Sequence, residues 1–112
     1  MHELGVVLGI FDMLESIMEE QDLKKISKVN VTVGELCGIL PDYFQECWKA
    51  ARLGSNFDKT ELVINKIPAI AKCICGNEYE MLKNSRICPY CQKTDYEIVG
   101  GKEFEIDSIE AC

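Results

Sequence analysis

Apolar side chains recur at Val7, Ile10, Leu14, Ile17 and Met18 along the first twenty residues. Steps of three and four predict an amphipathic helix from Leu4 to about Glu20. Leu8 and Phe11 widen its apolar stripe, while Asp12, Glu15, Glu19 and Glu20 fall largely on the other face. Asp22, Lys24 and Lys25 suit a polar connection. Val29, Val31 and Val33 then alternate with Asn30 and Thr32, the pattern of a half-buried strand, and Gly34 ends it. Leu36 to Pro41 reads as a loop. Pro41 fits the first turn of a second helix, and Asp42 and Glu46 complement its dipole. Phe44, Cys47, Trp48 and Ala51 form its apolar face, and Gly54-Ser55-Asn56 breaks it. Leu62, Ile64 and Ile67 start another strand, closed near Pro68. Between residues 73 and 91 the periodicity fades into cysteines, Gly76, Asn77, Asn84, Ser85 and Pro89. Past Gly100-Gly101 it returns as a last strand. Phe104, Ile106 and Ser108 face one way; Glu103, Glu105 and Asp107 face the other.

Composition narrows the function classes. The chain has 112 residues, a formal net charge of −7, and 47% hydrophobic against 28% charged residues. That is a folded chain of one domain, or of a small domain carrying a smaller module. A chain of this size buries roughly two-thirds of its unfolded surface, enough for a modest core. The acidic balance argues against a nucleic-acid binder, which needs cations facing phosphates. No apolar run reaches the ~18 residues of a membrane span. Met1-His2-Glu3 is not the basic start of a secretory signal, so the expected compartment is the cytoplasm, where disulfides are rare. The seven cysteines are then thiols or metal ligands.

Cys73-Ile74-Cys75 and Cys88-Pro89-Tyr90-Cys91 are two close pairs set twelve residues apart, the spacing of a zinc ribbon. Each pair sits on a turn, helped by Gly76 and Pro89, that can aim two thiolates at one tetrahedral ion. Soft thiolates favour zinc or iron over magnesium or calcium. The first pair is separated by one residue where a zinc knuckle usually has two. Two other readings compete. Cys88-Pro89-Tyr90-Cys91 also spells a glutaredoxin active site, but no clear helix follows to lower a thiol pKa. A rubredoxin-like iron site asks for a wider first pair. Cys47, on the helical face, is most simply a small buried hydrophobe. Cys37 and Cys112 lie in a loop and at the terminus.

His2 is the single histidine. A histidine near a terminus is usually solvated and idle. Its position still allows a specific chemistry. A free α-amine on Met1, the His2 amide and imidazole, and the Glu3 amide form a planar four-nitrogen set. Nickel(II) and copper(II) prefer that geometry. Methionine ahead of a bulky histidine is normally retained, so the amine belongs to Met1.

Together these pieces resemble the HypA family of hydrogenase maturation nickel metallochaperones. The resemblance rests on Met1-His2-Glu3-Leu4 opening a helix and on Val33-Gly34-Glu35-Leu36-Cys37-Gly38 followed by Pro41. It also rests on Leu62 to Pro68 leading into Cys73/Cys75 and Cys88/Cys91, and on the final alternating strand. It spans essentially the whole chain. Cys37 stands where the family more often has a small polar residue.

The resemblance implies an α+β fold: two helices on a three-stranded sheet, with a zinc-ribbon-like module inserted before the last strand. The implied division is residues 1–69 plus 99–112 for a nickel-binding domain and 70–98 for the zinc module. Nickel binding falls on Met1, His2 and Glu3, with Ni(II) as cargo. Structural Zn(II) falls on Cys73, Cys75, Cys88 and Cys91. The implied function is delivery of nickel to the large subunit of nickel-iron hydrogenase with a partner GTPase; some members also serve urease maturation. No catalytic turnover is expected, since no nucleophile–base set and no phosphate-binding glycine loop is present. A zinc-ribbon interaction module of the transcription or translation machinery is the competing reading, and a small iron electron carrier is the third. The first explains the cysteines but not the acidic segment from residue 73 onward, which carries four Lys/Arg against eight Asp/Glu.

Overall fold

The computed structural model describes residues 2–112. It contains a helix α1 (Glu3–Gln21), a strand β1 (Ile26–Gly34), a helix α2 (Pro41–Ala51) and a strand β2 (Glu61–Ile67). Three short strands follow, β3 (Ile70–Cys73), β4 (Glu78–Glu80) and β5 (Tyr96–Gly100), and then β6 (Phe104–Ala111). The strands form two sheets, one ordered β2-β1-β6 and the other β4-β3-β5. The α+β fold with two helices and a three-stranded sheet agrees with the sequence reading.

In the first sheet β1 pairs parallel with β2 and antiparallel with β6. The parallel pairing requires a crossover, and α2 supplies it. Alternation decides which face is covered. Val29, Val31 and Val33 are buried with Leu62 from β2 and with Val7, Ile10, Phe11 and Leu14 from α1. From α2 come Phe44, Cys47 and Trp48. Phe11 stacks edge-on to Trp48 at 5.0 Å and lies 4.9 Å from Phe57. The Trp48 indole N–H is satisfied by the Thr60 carbonyl at 2.9 Å, so the largest core ring carries no orphan donor. On the uncovered face, Asn30 donates to Ser108 and Thr32 to Asp107 across the β1–β6 ladder.

One expectation is corrected. Ser108 does not share the core face with Phe104 and Ile106. The β1–β6 register shifts between Asn30 and Val31, where Ser108 and then Ile106 oppose successive residues. Asp107 is the extra residue of a bulge, which restarts the alternation one place later. Ile109 therefore joins the core with Phe104 and Ile106.

The second sheet has its own small core of Ala69, Ala71, Cys73, Tyr79, Met81 and Cys88. The connection between the sheets is hydrogen-bonded. Leu36 N–H donates to Gly101 at 2.7 Å, Gly34 N–H to Glu103 at 2.7 Å and Glu35 N–H to Ile67 at 2.8 Å. The Glu35 carboxylate accepts the Ala69 N–H at 2.9 Å. Residues 34–36 thus tie down both chain crossings. Gly34 is required here by space, because a Cβ would run into the backbone carbonyl of Gly101. Gly101 is required by conformation, with φ near 101°. No helix among the described residues is long and apolar enough to cross a membrane.

Candidate metal centres

The four cysteines of the two close pairs converge. β3 ends at Cys73, and a tight turn follows in which Gly76 N–H donates to the Cys73 carbonyl at 2.8 Å. Gly76 takes φ near 94°, which a side chain would resist. Cys75 lies in that turn. Across from it, Gln92 N–H donates to Cys88 at 2.8 Å and Cys88 N–H to Lys93 at 3.0 Å, closing a second turn around Cys88 and Cys91. The four Sγ atoms lie within 4.8 Å of one another. Cys73 and Cys91 sulfurs are 3.3 Å apart and those of Cys75 and Cys88 are 3.8 Å apart.

These distances test the candidate ion. A disulfide needs about 2.05 Å, so neither contact is one. Four sulfurs at about 2.3 Å from a tetrahedral zinc are about 3.8 Å from each other. The sulfur set fits that size. The short Cys73–Cys75 pair is accommodated because Cys73 belongs to a strand and Cys75 to the turn beyond it. Cys73 and Cys88 are buried, Cys91 is half-buried and Cys75 is exposed.

The two thiols of the first pair differ in their electrostatics. The Asn77 backbone N–H, aided by its side-chain amide, brings the Cys75 thiol down to about 6. At Cys73 the Cys75 backbone N–H acts downward, but burial and the neighbouring sulfurs outweigh it and push the thiol up to about 12. The polypeptide alone thus favours a thiolate at Cys75 and a thiol at Cys73. A divalent ion bound by the sulfurs would favour the thiolate at both.

The other three cysteines stand apart from this group. Cys47 is buried in the first core, as its helical position predicts. Cys37 is half-buried against that core and its sulfur accepts the Ile39 N–H at 3.4 Å. Cys112 is exposed.

At the other end, Met1 lies outside the described residues, and so does its amine. His2 is exposed and precedes the first helical turn; its carbonyl accepts the Val6 N–H at 2.9 Å. Its side chain makes no capping bond. The Glu3 N–H opens the helix, where amides lack an intrahelical acceptor. The Glu3 side chain goes inward, which the sequence does not reveal. It is fully buried, and its carboxylate accepts the Leu40 N–H at 3.0 Å. That N–H is the chief reason its pKa falls to about 2. An acidic residue in a first helical turn reads as a solvated dipole partner. The only hint otherwise is its place at the start of an apolar run.

Comparison with known proteins points the same way throughout. Residues 1–111 match the family model described as hydrogenase/urease nickel incorporation, metallochaperone, hypA. A hydrogenase maturation factor HypA from Chlorobium limicola is 34% identical over 110 residues, covering 97% of this chain and 95% of the relative. One from Dehalococcoides mccartyi is 30% identical over 111 residues, covering 98% and 93%. The solution structure of the Ni metallochaperone HypA from Helicobacter pylori superposes with a TM-score of 0.64 at 23% identity, covering 99% of this chain and 97% of that one. A second HypA solution structure gives 0.68 at 23% identity, covering 100% and 97%. At that identity the structures speak for the fold.

Proposed function

This chain belongs to the HypA family of hydrogenase/urease nickel-incorporation metallochaperones, and we propose that it binds Ni(II) at its N-terminus and hands it to the large subunit of nickel-iron hydrogenase. The family's task is metal transfer rather than turnover. The observation that carries the reading is the state of residues 2 and 3. The His2 imidazole is exposed and uncommitted to capping, and the Glu3 amide opens a helix. With the Met1 amine these supply four nitrogens in linked chelate rings, suited to planar nickel(II). Glu3 contributes its amide only; its carboxylate is engaged with Leu40. Closing the rings displaces protons from two amides and the amine, so affinity rises with pH.

Cys73, Cys75, Cys88 and Cys91 hold Zn(II) in this reading. The ion supplies a cross-link and charge compensation to the small second core. We propose a division into two units, residues 1–69 plus 99–112 and residues 70–98, with the β5 pairing carrying the second unit on to Gly100. A GTPase supplies the nucleotide chemistry this chain lacks. Hydrogenase is the client, with urease maturation proteins as further candidates, and the site of action is the cytoplasm.

His2→Ala tests the cargo site. Calorimetric titration of the zinc-loaded protein should show specific nickel binding lost, with zinc content and circular dichroism unchanged. Nickel binding of undiminished affinity refutes the assignment.

A further inference from the structure

One hydroxyl in the second core lacks a partner. Tyr79 stands on β4 directly opposite Ala71 on β3. Directly opposed residues project to the same face, and so do residues two apart on one strand. The Tyr79 ring therefore shares a face with Ala71 and Cys73. It packs in the cluster with Ala69, Ala71, Cys73, Met81 and Cys88, and is only 6% exposed. Its hydroxyl is shielded from solvent and hydrogen-bonded to nothing among the described residues. Such a group is costly to leave unpaired.

The cluster offers few acceptors. Ala69, Ala71, Leu36 and Ile98 have none on their side chains, and the Met81 thioether is weak. The Tyr96 hydroxyl and the sulfurs of Cys73, Cys88 and Cys91 complete the set. Thiols accept weakly. Thiolates under a metal ion carry charge and are the strongest acceptors in the cluster. Four thiolates around a divalent cation leave an excess of negative charge. Cys73 and Cys88, at 3% and 0% exposed, cannot share that excess with water. Cys75, at the surface, has the Asn77 amide beside it at 3.5 Å. Two phenols pack here: Tyr96, opposite Cys73 on β5, is half-buried, whereas the Tyr79 hydroxyl is fully shielded and unpartnered among the described residues.

We propose that Tyr79 is a positioning residue of the metal centre, its hydroxyl donating its single hydrogen bond to one of the buried sulfurs, Cys73 or Cys88, once they are metal-bound thiolates. The proposal rests on the reading of the four cysteines as a metal site. Partners of this kind orient ligands and typically change metal affinity by about 10- to 100-fold.

The test uses the full reduced chain with Co(II) as a spectroscopic stand-in and competition by Zn(II). Wild type, Tyr79→Phe and Tyr96→Phe are compared. Removing one unpaired oxygen from an apolar cluster keeps the packing. Tyr79→Phe should weaken zinc binding about tenfold or more and move the sulfur-to-cobalt charge-transfer band to lower energy, because an unbonded thiolate gives up its electron more readily. Tyr96→Phe should leave both unchanged. Wild-type affinity and spectrum in Tyr79→Phe overturn the proposal while leaving the metal site standing. So does the same shift in Tyr96→Phe. A wild-type protein that shows no thiolate–cobalt band overturns the four-cysteine reading and this proposal together.

Discussion

The two sheets of this chain solve the same problem with different means. The β2-β1-β6 sheet covers one face with two helices and closes over Phe11, Phe44, Trp48 and Phe57. Its core is apolar and continuous. The β4-β3-β5 sheet has strands of three to five residues and no helix. Its core is small, and two of its buried members, Cys73 and Cys88, are thiols that also belong to the four-sulfur group. A segment of that size does not usually fold on apolar burial alone. On the proposed reading, the first unit is held by hydrophobic area and the second by ligand chemistry.

That contrast can be broken from either side. The largest effect expected is from chelation. Structural zinc contributes about 10–16 kcal/mol to folding in small modules. Stripping it should expose the amides of residues 70–100 to exchange while α1, β1 and α2 keep their protection. Unchanged exchange in the second sheet would show that it stands without metal. The reverse perturbation is Trp48→Ala, which removes the buried ring at the centre of the first core and one of the two donors to the Thr60 carbonyl, leaving it the Arg52 guanidinium. It should cost about 3–5 kcal/mol, read as a drop in the denaturation midpoint of the first unit. Zinc content should not change; its loss would mean the two cores stand or fall together.

A smaller effect belongs to Glu3. Its folded pKa of about 2 lies below the ordinary 4.5. A depressed carboxyl stabilises the fold above its unfolded pKa and loses that contribution as pH falls through the folded value. Glu3→Gln should therefore be less stable than wild type at neutral pH, and the gap should close between about pH 4.5 and 2. Melting curves of both proteins across that range check it. A gap that persists at pH 2 would contradict a charge-based role.

The same contrast explains what could be read from sequence. α1, β1, α2, β2 and β6 bury one face over a full period, so their residues alternate or recur legibly. β3, β4 and β5 also alternate in burial, but over only three to five residues each, too short a run to stand out from a loop in sequence. Only the cysteine spacing marks that region. It points to the ligand set but not to the crossed proximity of Cys73 with Cys91 and Cys75 with Cys88. The bulge at Asp107 has no local signature, which is why Ser108 and Ile109 exchange faces. Glu3 and Tyr79 were hidden for a shared reason. Each has a polar group whose burial depends on a distant partner segment: the loop before Pro41 for Glu3 and the β3 face for Tyr79.

The terminal nickel site is tested most directly by one titration. Two residues are added ahead of Met1, leaving the His2 imidazole in place and moving the free amine away from it. Nickel is then titrated into the zinc-loaded protein beside the unextended chain. Specific binding should be lost in the extended protein, with zinc content and amide protection of both sheets unchanged. Equal nickel affinity in the two proteins would contradict the site.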